Sequence, residues 1–543
     1  MKDIEIPYEK DRHGHYRLFE ILPGALSWLL LLLPIILSFI NITAAVVFIL
    51  AYLLIYFVRS VGFSLAGFKG YRMMKRDIKL DWRALIEDVE RNGIVEGDGV
   101  KRPQWHMRNI ERKKTISNPF KPSELIHVAI IATVNEGREV LEPTIRSIIN
   151  GHHDNSRLIL IIAYEGRAGE ETEKRVLDLV DDYKSQFMDM FAVKHPANTP
   201  GEVIGKGSNI TYAGRQLNTY LESKNIDPET VIVTTLDSDN RPDERYFLAV
   251  SYAFCLVSDP IRASYQPLPM FTNNIWDAPT MMRVIATGNT VFYIVGTTRP
   301  HRVRNFSAHA QSMRALIDMD FWSVRTIVED GHHFWRSYFH FDGDYQVYPL
   351  SIPVYQDAVL AEGYIKTIKA QFTQLRRWTY GASDVAYVAD KGFFRKNSIP
   401  KADLIGKFFN LLEGHVTWAT GTILVFGAAF IPPLISPQSF AANEIPLIVS
   451  RIQRVGLIGL LATVYVCMVT LPPRPRRYRR HRSVLMVVQW VLAPVTSIAF
   501  ASLAAFNSQT RLMFKRYLSK FDVTEKAVVV EKGKVISTRP DPS

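Results

Sequence analysis

The chain has 543 residues, 47% of them hydrophobic, a formal net charge of +12 and two cysteines. Two isolated cysteines, Cys255 and Cys467, exclude a disulfide framework and a cysteine-based zinc site. The basic excess gathers beside apolar segments, where the positive-inside rule and anionic lipid account for it, so it does not point to nucleic acid.

Residues 1–20 are charged and lack the layout of a signal peptide, and they read as a cytosolic tail. From Ile21 to Val58 no charged residue occurs. One helix of that length would extend about 57 Å at 1.5 Å per residue, roughly twice the hydrocarbon thickness. Two spans are therefore predicted over 21–58, turning near Asn41-Ile42-Thr43, with both ends on one side. Arg59, Lys69, Arg72, Lys75 and Arg76 place that side in the cytosol. Residues 59–124 are highly charged and weakly periodic, which predicts a helical connector along the membrane surface without a core of its own.

Near Leu125 the pattern changes to short apolar runs alternating with amphipathic stretches, the mark of βαβ units. Strands are predicted at Leu125 to Val134, Arg157 to Ala163 and Thr230 to Leu236, and helices at Glu139 to Ile149 and Glu171 to Tyr183. The third strand ends in Asp237-Ser238-Asp239. In an open α/β sheet ligands sit beyond the carboxyl ends of the strands. Two hard oxygen donors at that edge suit Mg²⁺ or Mn²⁺ gripping a diphosphate. A strand-closing turn draws on the same residue types, so the pair alone leaves both readings standing.

Other loops at that edge are polar. Thr133, Asn135 and Glu136 follow the first strand and suit a ribose or base, and Tyr164-Glu165 follows the second. Gly205-Lys206-Gly207-Ser208-Asn209 opens a helix, where backbone N–H groups and a lysine suit phosphate, although it is not a Walker A loop. Each also reads as an ordinary strand-to-helix turn. Glu329 and Asp330 stand at a predicted helix start, where the dipole favours an anion and acids serve as caps. Gln374, Arg377 and Trp378 share one face of a helix predicted from about Ala358. An amide, a guanidinium and an aromatic plane there suit a sugar diphosphate; an interfacial helix with snorkelling arginines is the other reading.

Beyond residue 400 the chain is apolar again. Lys401 to Leu412 reads as an interfacial helix, and Gly414 to Phe430 and Val455 to Leu471 as spans. Arg474, Arg476, Arg477, Arg479, Arg480 and Arg482 mark a cytosolic loop. Ser483 to Thr510 is uncharged yet has basic residues on both flanks. At fewer than the about 40 residues that two spans require, it reads as a re-entrant or interfacial hairpin broken at Pro494, with a single span as the rival. Residues 511–543 form a cytosolic tail.

The ordered set Asn135-Glu136, Asp237-Ser238-Asp239, Glu329-Asp330 and Gln374-x-x-Arg377-Trp378, flanked by membrane helices, resembles the membrane-bound family 2 glycosyltransferases that include cellulose and hyaluronan synthases. In the tail, Phe521, Val523, Thr524 and Lys526 resemble the gating-loop motif of the processive members. The resemblance implies a GT-A domain over 125–400 between membrane helices of the plasma membrane, cytosolic and inverting. It implies Asp330 as catalytic base beside Glu329, and Asp237 and Asp239 on the metal and diphosphate. Gln374, Arg377 and Trp378 would then meet the pyrophosphate and acceptor, with Thr133, Asn135, Glu136, Glu165 and Lys206 around the donor. Where family members commonly carry an aspartate for the nucleobase, this chain has Glu165. The implied partners are a nucleotide sugar, a glycan or lipid acceptor, membrane lipids and export subunits. His332 and His333, next to the base, read more readily as packing than as ligands.

Overall fold

The computed structural model describes residues 3–518 together with 530–531 and 534–535. Its centre is an eight-stranded mixed sheet in the order β3-β2-β1-β4-β7-β6-β8-β5. The strands are β1 (Ile126–Thr133), β2 (Leu158–Glu165), β3 (Asp189–His195), β4 (Val231–Asp237), β5 (Arg241–Pro242), β6 (Ala263–Phe271), β7 (His309–Ser312) and β8 (Gln346–Gln356). β3, β2, β1 and β4 run parallel; β7 lies antiparallel to both β4 and β6, and β8 returns parallel to β6. The predicted strands coincide with β1, β2 and β4 within two residues at either end. Nearly all their residues are buried, which is why they read as unbroken apolar runs. β3 has no such signal, because it is an edge strand where Asp189 and Lys194 face partly outward.

Helices α1 (Gly14–Ile40) and α2 (Ile42–Asp77) meet at Asn41, whose side chain accepts the Ala44 N–H at 3.1 Å and caps α2. The segment ahead of α1 is no free tail. Ile4 and Ile6 are buried among Phe334, Trp335 and Tyr338. The segment predicted as a helical connector packs into the core of the domain. α3 (Trp82–Glu90) and α4 (Gln104–Lys113) bury Trp82, Leu85, Val89 and Ile110 in the same core as Leu158 and Leu160 of β2. The charges that suggested a surface element include Asp88, which is fully buried and held by Arg102 at 2.8 Å and His106 at 2.9 Å. A buried ion network and a solvated face look alike in composition.

α5 (Arg138–Ile149), α6 (Glu170–Tyr183), α7 (Lys206–Ser223) and α8 (Tyr246–Leu256) flank the parallel half of the sheet. α9 (Thr280–Thr297) and α10 (Met313–Asp318) precede α11 (Glu329–His340), α12 (Tyr364–Thr379) and α13 (Asp384–Ala389). α12 starts at 364 rather than 358, because Asn274 holds Ala358 in a loop by bonds of 2.7 and 2.9 Å and Gly363 turns with φ +88°. α14 (Lys401–Gly427) is one helix where an interfacial piece and a span were predicted separately; α15 (Ile431–Ile435) and α16 (Phe440–Val469) follow.

Among the described residues, five helices are long and apolar enough to cross a membrane: Gly14–Ile40, Ile42–Asp77, Lys401–Ile435, Phe440–Val469 and His481–Met513. The fifth touches the globular domain near both ends and packs on α1 and α14 as well, through Ser27 with Gln509 at 2.6 Å and Ser502 with the Trp418 carbonyl at 3.1 Å. Arg482 donates to the Trp276 carbonyl at 3.0 Å, and Met486, Phe500 and Ala504 pack with Phe271, Trp276 and Leu375. Ser508 bonds Thr379 at 3.0 Å, and Leu512 packs with Ile327 and Tyr380.

Candidate active site

Parallel strands bring their carboxyl ends to one edge, and there the site residues gather. Asp237 closes β4 beside Ala132 of β1. Lys206 opens α7; its Nζ lies 2.6 Å from Asp237 Oδ1 and donates to the Ser307 carbonyl at 2.9 Å. Burial favours the neutral amine, but Asp237, Glu329 and Asp330 outweigh it and hold the ammonium pKa above its usual value. Asp239 is buried. Its Oδ2 accepts the Asp357 N–H at 3.1 Å, its Oδ1 the Asn240 amide at 3.4 Å, and its carbonyl the Asn273 amide at 3.0 Å. The Asn240 side chain in turn accepts the Asp237 N–H at 3.0 Å, so the turn that presents both carboxylates is fixed from several sides.

Glu329 and Asp330 form the first turn of α11. Asp330 Oδ1 accepts the Gly331 N–H at 2.7 Å. Burial raises the Asp330 pKa, with a contribution from Asp237, against Lys206, the Gly331 N–H and Arg377, which lower it. These groups surround one carboxylate. Burial and the Asp330 charge also push Glu329 upward. The first turns of α11 and α7 are pressed together at Gly207, where a Cβ would lie 2.5 Å from the Ser323 carbonyl and 3.0 Å from Glu329 Cβ.

On α12, Gln374 accepts from Gln371 at 3.3 Å, Arg377 lies near enough to Asp330 to lower its pKa, and the partly buried Trp378 ring lies 5.9 Å from Phe271. Tyr293 of α9 continues this aromatic wall, 6.2 Å from Phe271 and 4.5 Å from Phe306, and its hydroxyl, buried and near Asp330, has a raised pKa. At the end of the adjacent strand β1, Glu136 accepts from Thr133 Oγ1 at 2.7 Å and the Val134 N–H at 2.8 Å, with Asn135 exposed beside them. Asn209 ties the ends of β1 and β2 together through the Thr133 and Ala163 carbonyls, at 3.4 and 2.9 Å. Glu165 is buried between Arg167 at 3.3 Å and His195 at 3.4 Å.

The structure thus brings Lys206 and Asp237 together with Asp330 and Arg377 within electrostatic range, sets Trp378 on the same helix as Arg377, and places Thr133, Asn135 and Glu136 at the end of the neighbouring strand β1 with Glu165 one strand further on β2. His332 and His333 are fully buried packing residues, bonded to Asp384 at 2.7 Å and to Gln311. Phe521, Val523, Thr524 and Lys526 lie outside the described residues. Asn273, Ser307, Tyr293 and Asp357 had no motif to announce them; only the Asn273-Asn274 pair after an apolar run was a visible sign of a loop at the edge. Among the described residues no three His, Cys, Asp or Glu side chains form a ready metal cage. The two carboxylates of Asp237 and Asp239 fit a hard divalent ion that completes its shell with phosphate oxygens and water.

No protein-family model matches the chain, and no curated protein matches it. Solved structures similar to it include the mannosyltransferase PcManGT from Pyrobaculum calidifontis in complex with GDP-Man and Mn²⁺, at 14% identity, with 88% of this chain and 99% of that chain covered and a TM-score of 0.38. TarS 1–349 of S. aureus in complex with UDP-GlcNAc is similar at 10% identity, covering 77% of this chain and 98% of that one, with a TM-score of 0.37. GalNAc-T7 with UDP, GalNAc and Mn²⁺ follows at 11% identity, 56% and 58% coverage and a TM-score of 0.29. Likeness at this level assigns neither substrate nor mechanism to this chain.

Proposed function

We propose that the chain is a membrane-embedded, inverting glycosyltransferase with a cytosolic GT-A domain, of the family 2 kind, which takes a sugar from a nucleotide sugar, a UDP-sugar first among donors. Its acceptor on this reading is a growing polysaccharide at the cytosolic face of the plasma membrane. The observation that supports it is the Lys206–Asp237 ion pair at the carboxyl edge of the sheet with Asp330 and Arg377 within electrostatic range of it.

A sugar hydroxyl is a weak nucleophile at neutral pH, so a carboxylate has to take its proton as the oxygen attacks the anomeric carbon. Asp330 is placed for this, and its raised pKa makes it a stronger base than an exposed aspartate. The leaving nucleoside diphosphate gains negative charge; Arg377 and Lys206 meet it, the latter from the amino end of α7, where backbone N–H groups add their dipoles. A bound Mg²⁺ or Mn²⁺ on Asp237 and Asp239 supplies further charge neutralisation of the diphosphate. Attack on the face opposite the diphosphate inverts the anomeric centre. Trp378, packed on the buried Phe271 that also meets Tyr293, offers a ring face to a pyranose, and the three exclude water. Thr133, Asn135 and Glu136 take the ribose and base, and Glu165 acts there through Arg167 and His195 rather than as a free carboxylate.

One observation favours a second acceptor. If His481–Met513, in contact with the domain at both ends, is re-entrant or interfacial, five candidate helices less this one leave four spans, few for a polymer channel. Transfer of a single sugar to a membrane lipid, a glycolipid or a polyprenyl phosphate, needs no channel; polymer export through four spans would call for further subunits. The test is release of nucleoside diphosphate from a panel of UDP- and GDP-sugars by the full chain in lipid, with and without Mn²⁺, followed by sizing of the labelled product. Metal-dependent turnover with long product supports the polymer reading, and turnover with one lipid-linked sugar the other. No turnover on any donor removes both and leaves a non-enzymatic membrane scaffold.

A further inference from the structure

The segment ahead of α1 is bound into the domain by contacts that converge on the helix bearing Asp330. Glu5 receives hydrogen bonds from Arg336 Nη1 at 2.5 Å and from Ser323 Oγ. Arg336 lies on α11, six residues and under two turns from Asp330, and its other nitrogen donates to the Met319 carbonyl at 2.9 Å. Ser323 begins the loop that leads into α11, and its own carbonyl packs on Gly207, next to Lys206. One carboxylate therefore braces both the helix and its approach.

The neighbouring residues extend the brace. Arg325, in the same loop, donates to the Ile6 carbonyl at 3.1 Å and lies 3.8 Å over the Tyr8 ring. Tyr387 donates to the Ile4 carbonyl at 2.7 Å, and Lys391 to the Asp3 carbonyl at 2.7 Å. Ile4 and Ile6 seat the strap between α11 and α13. Burial opposes the charged form of Glu5, but Arg336 and Ser323 overcome it and hold the carboxyl below its ordinary pKa, so the brace is ionic at neutral pH.

We propose that residues 3–8 are a positioning element of the active site, with Glu5 as the residue that sets Asp330 through Arg336 and Ser323. The inference rests on the glycosyltransferase reading for its kinetic arm and stands apart from it for its structural arm. Glu5 touches no reacting atom. Without it, Arg336 becomes an unpaired buried cation, and α11 and the 323–328 loop lose their common anchor.

The experiment uses the full chain in lipid and compares Glu5→Ala, Glu5→Asp and the double variant Glu5→Leu/Arg336→Met with the parent. Backbone hydrogen exchange over 323–336 is expected to rise in Glu5→Ala well beyond any change elsewhere, whatever reaction the protein performs. Turnover is expected to fall between about 10- and 100-fold, the scale for displacing a catalytic group by up to an ångström, with KM for the nucleotide sugar within about twofold, and Glu5→Asp is expected to recover part of it. The double variant removes the stranded charge and is expected to regain thermal stability without regaining turnover. Unchanged exchange over 323–336, a uniform rise across the domain, or full turnover in the double variant each overturns the proposal. Absent turnover in the parent overturns the glycosyltransferase reading, and the exchange result still decides the brace.

Discussion

Gly207→Ala probes the contact on which the catalytic geometry depends. The added Cβ would sit 2.5 Å from the Ser323 carbonyl oxygen and 3.0 Å from Glu329 Cβ, a backbone atom and the first side-chain atom fixed to the backbone rather than free side-chain ends. Restoring a C···O separation of about 3.3 Å requires the amino end of α7 and the Ser323 end of the loop leading into α11 to part by about 0.8 Å. Overpacking of this kind costs about 1–3 kcal/mol of stability, and a shift near 1 Å at reacting groups lowers turnover by up to about 100-fold. The matched control is Gly331→Ala, one residue from Asp330. There a Cβ meets nothing within 4 Å, and the helix gains up to about 1 kcal/mol. Nucleoside diphosphate release and thermal unfolding are measured on both variants. Gly207→Ala is expected to lose most of its turnover and several degrees of stability, and Gly331→Ala to keep both. Equal loss in the two variants, or an unimpaired Gly207→Ala, would refute the idea that the apposition of α7 and α11 sets the site.

Asp330→Asn is expected to abolish transfer while calorimetry still shows nucleotide binding; loss of both would assign Asp330 to binding. On the proposed mechanism Asp330 works in its ionised form, so with its pKa raised the acid limb of kcat/KM should lie above the ordinary carboxylate range, and Lys206→Met, which removes a cation that lowers that pKa, should move the limb further up. The stability linkage has the opposite sense. The raised pKa favours the fold below the ordinary carboxylate value, and this contribution is lost as pH rises through the raised one. Asp239→Asn should weaken the metal dependence of nucleotide binding, and an unaltered Mn²⁺ titration would count against Asp239 as a donor. Cys255 and Cys467 are both buried, so single cysteines report topology cleanly: Arg480→Cys and Arg516→Cys should label from the same side and Phe440→Cys from the other. Labelling of 480 and 516 from opposite faces would make His481–Met513 a span.

The amino-acid sequence by itself determined the membrane character, the parallel strands β1, β2 and β4, and the acids at their edge, because these rest on local order. An unbroken apolar run, an alternation of strand and helix, and a carboxylate pair closing a strand are written in consecutive residues. The one-face grouping of Gln374, Arg377 and Trp378 follows equally from helical spacing. Only the tertiary structure decided what depends on residues far apart in the chain. Asp88 looked like a solvated charge until Arg102 and His106 closed on it, and Ile4 and Ile6 looked like a tail until α11 and α13 gave them a pocket. Asn273 and Asp357 reach the Asp239 turn from loops 34 and 118 residues away. The raised pKa of Asp330 is likewise set by burial together with Lys206, Asp237 and Arg377 from distant parts of the chain, and only the Gly331 N–H comes from a neighbour in sequence. Periodicity records which face of an element is buried; it does not record against what, and the chemistry of this site lies in that second quantity.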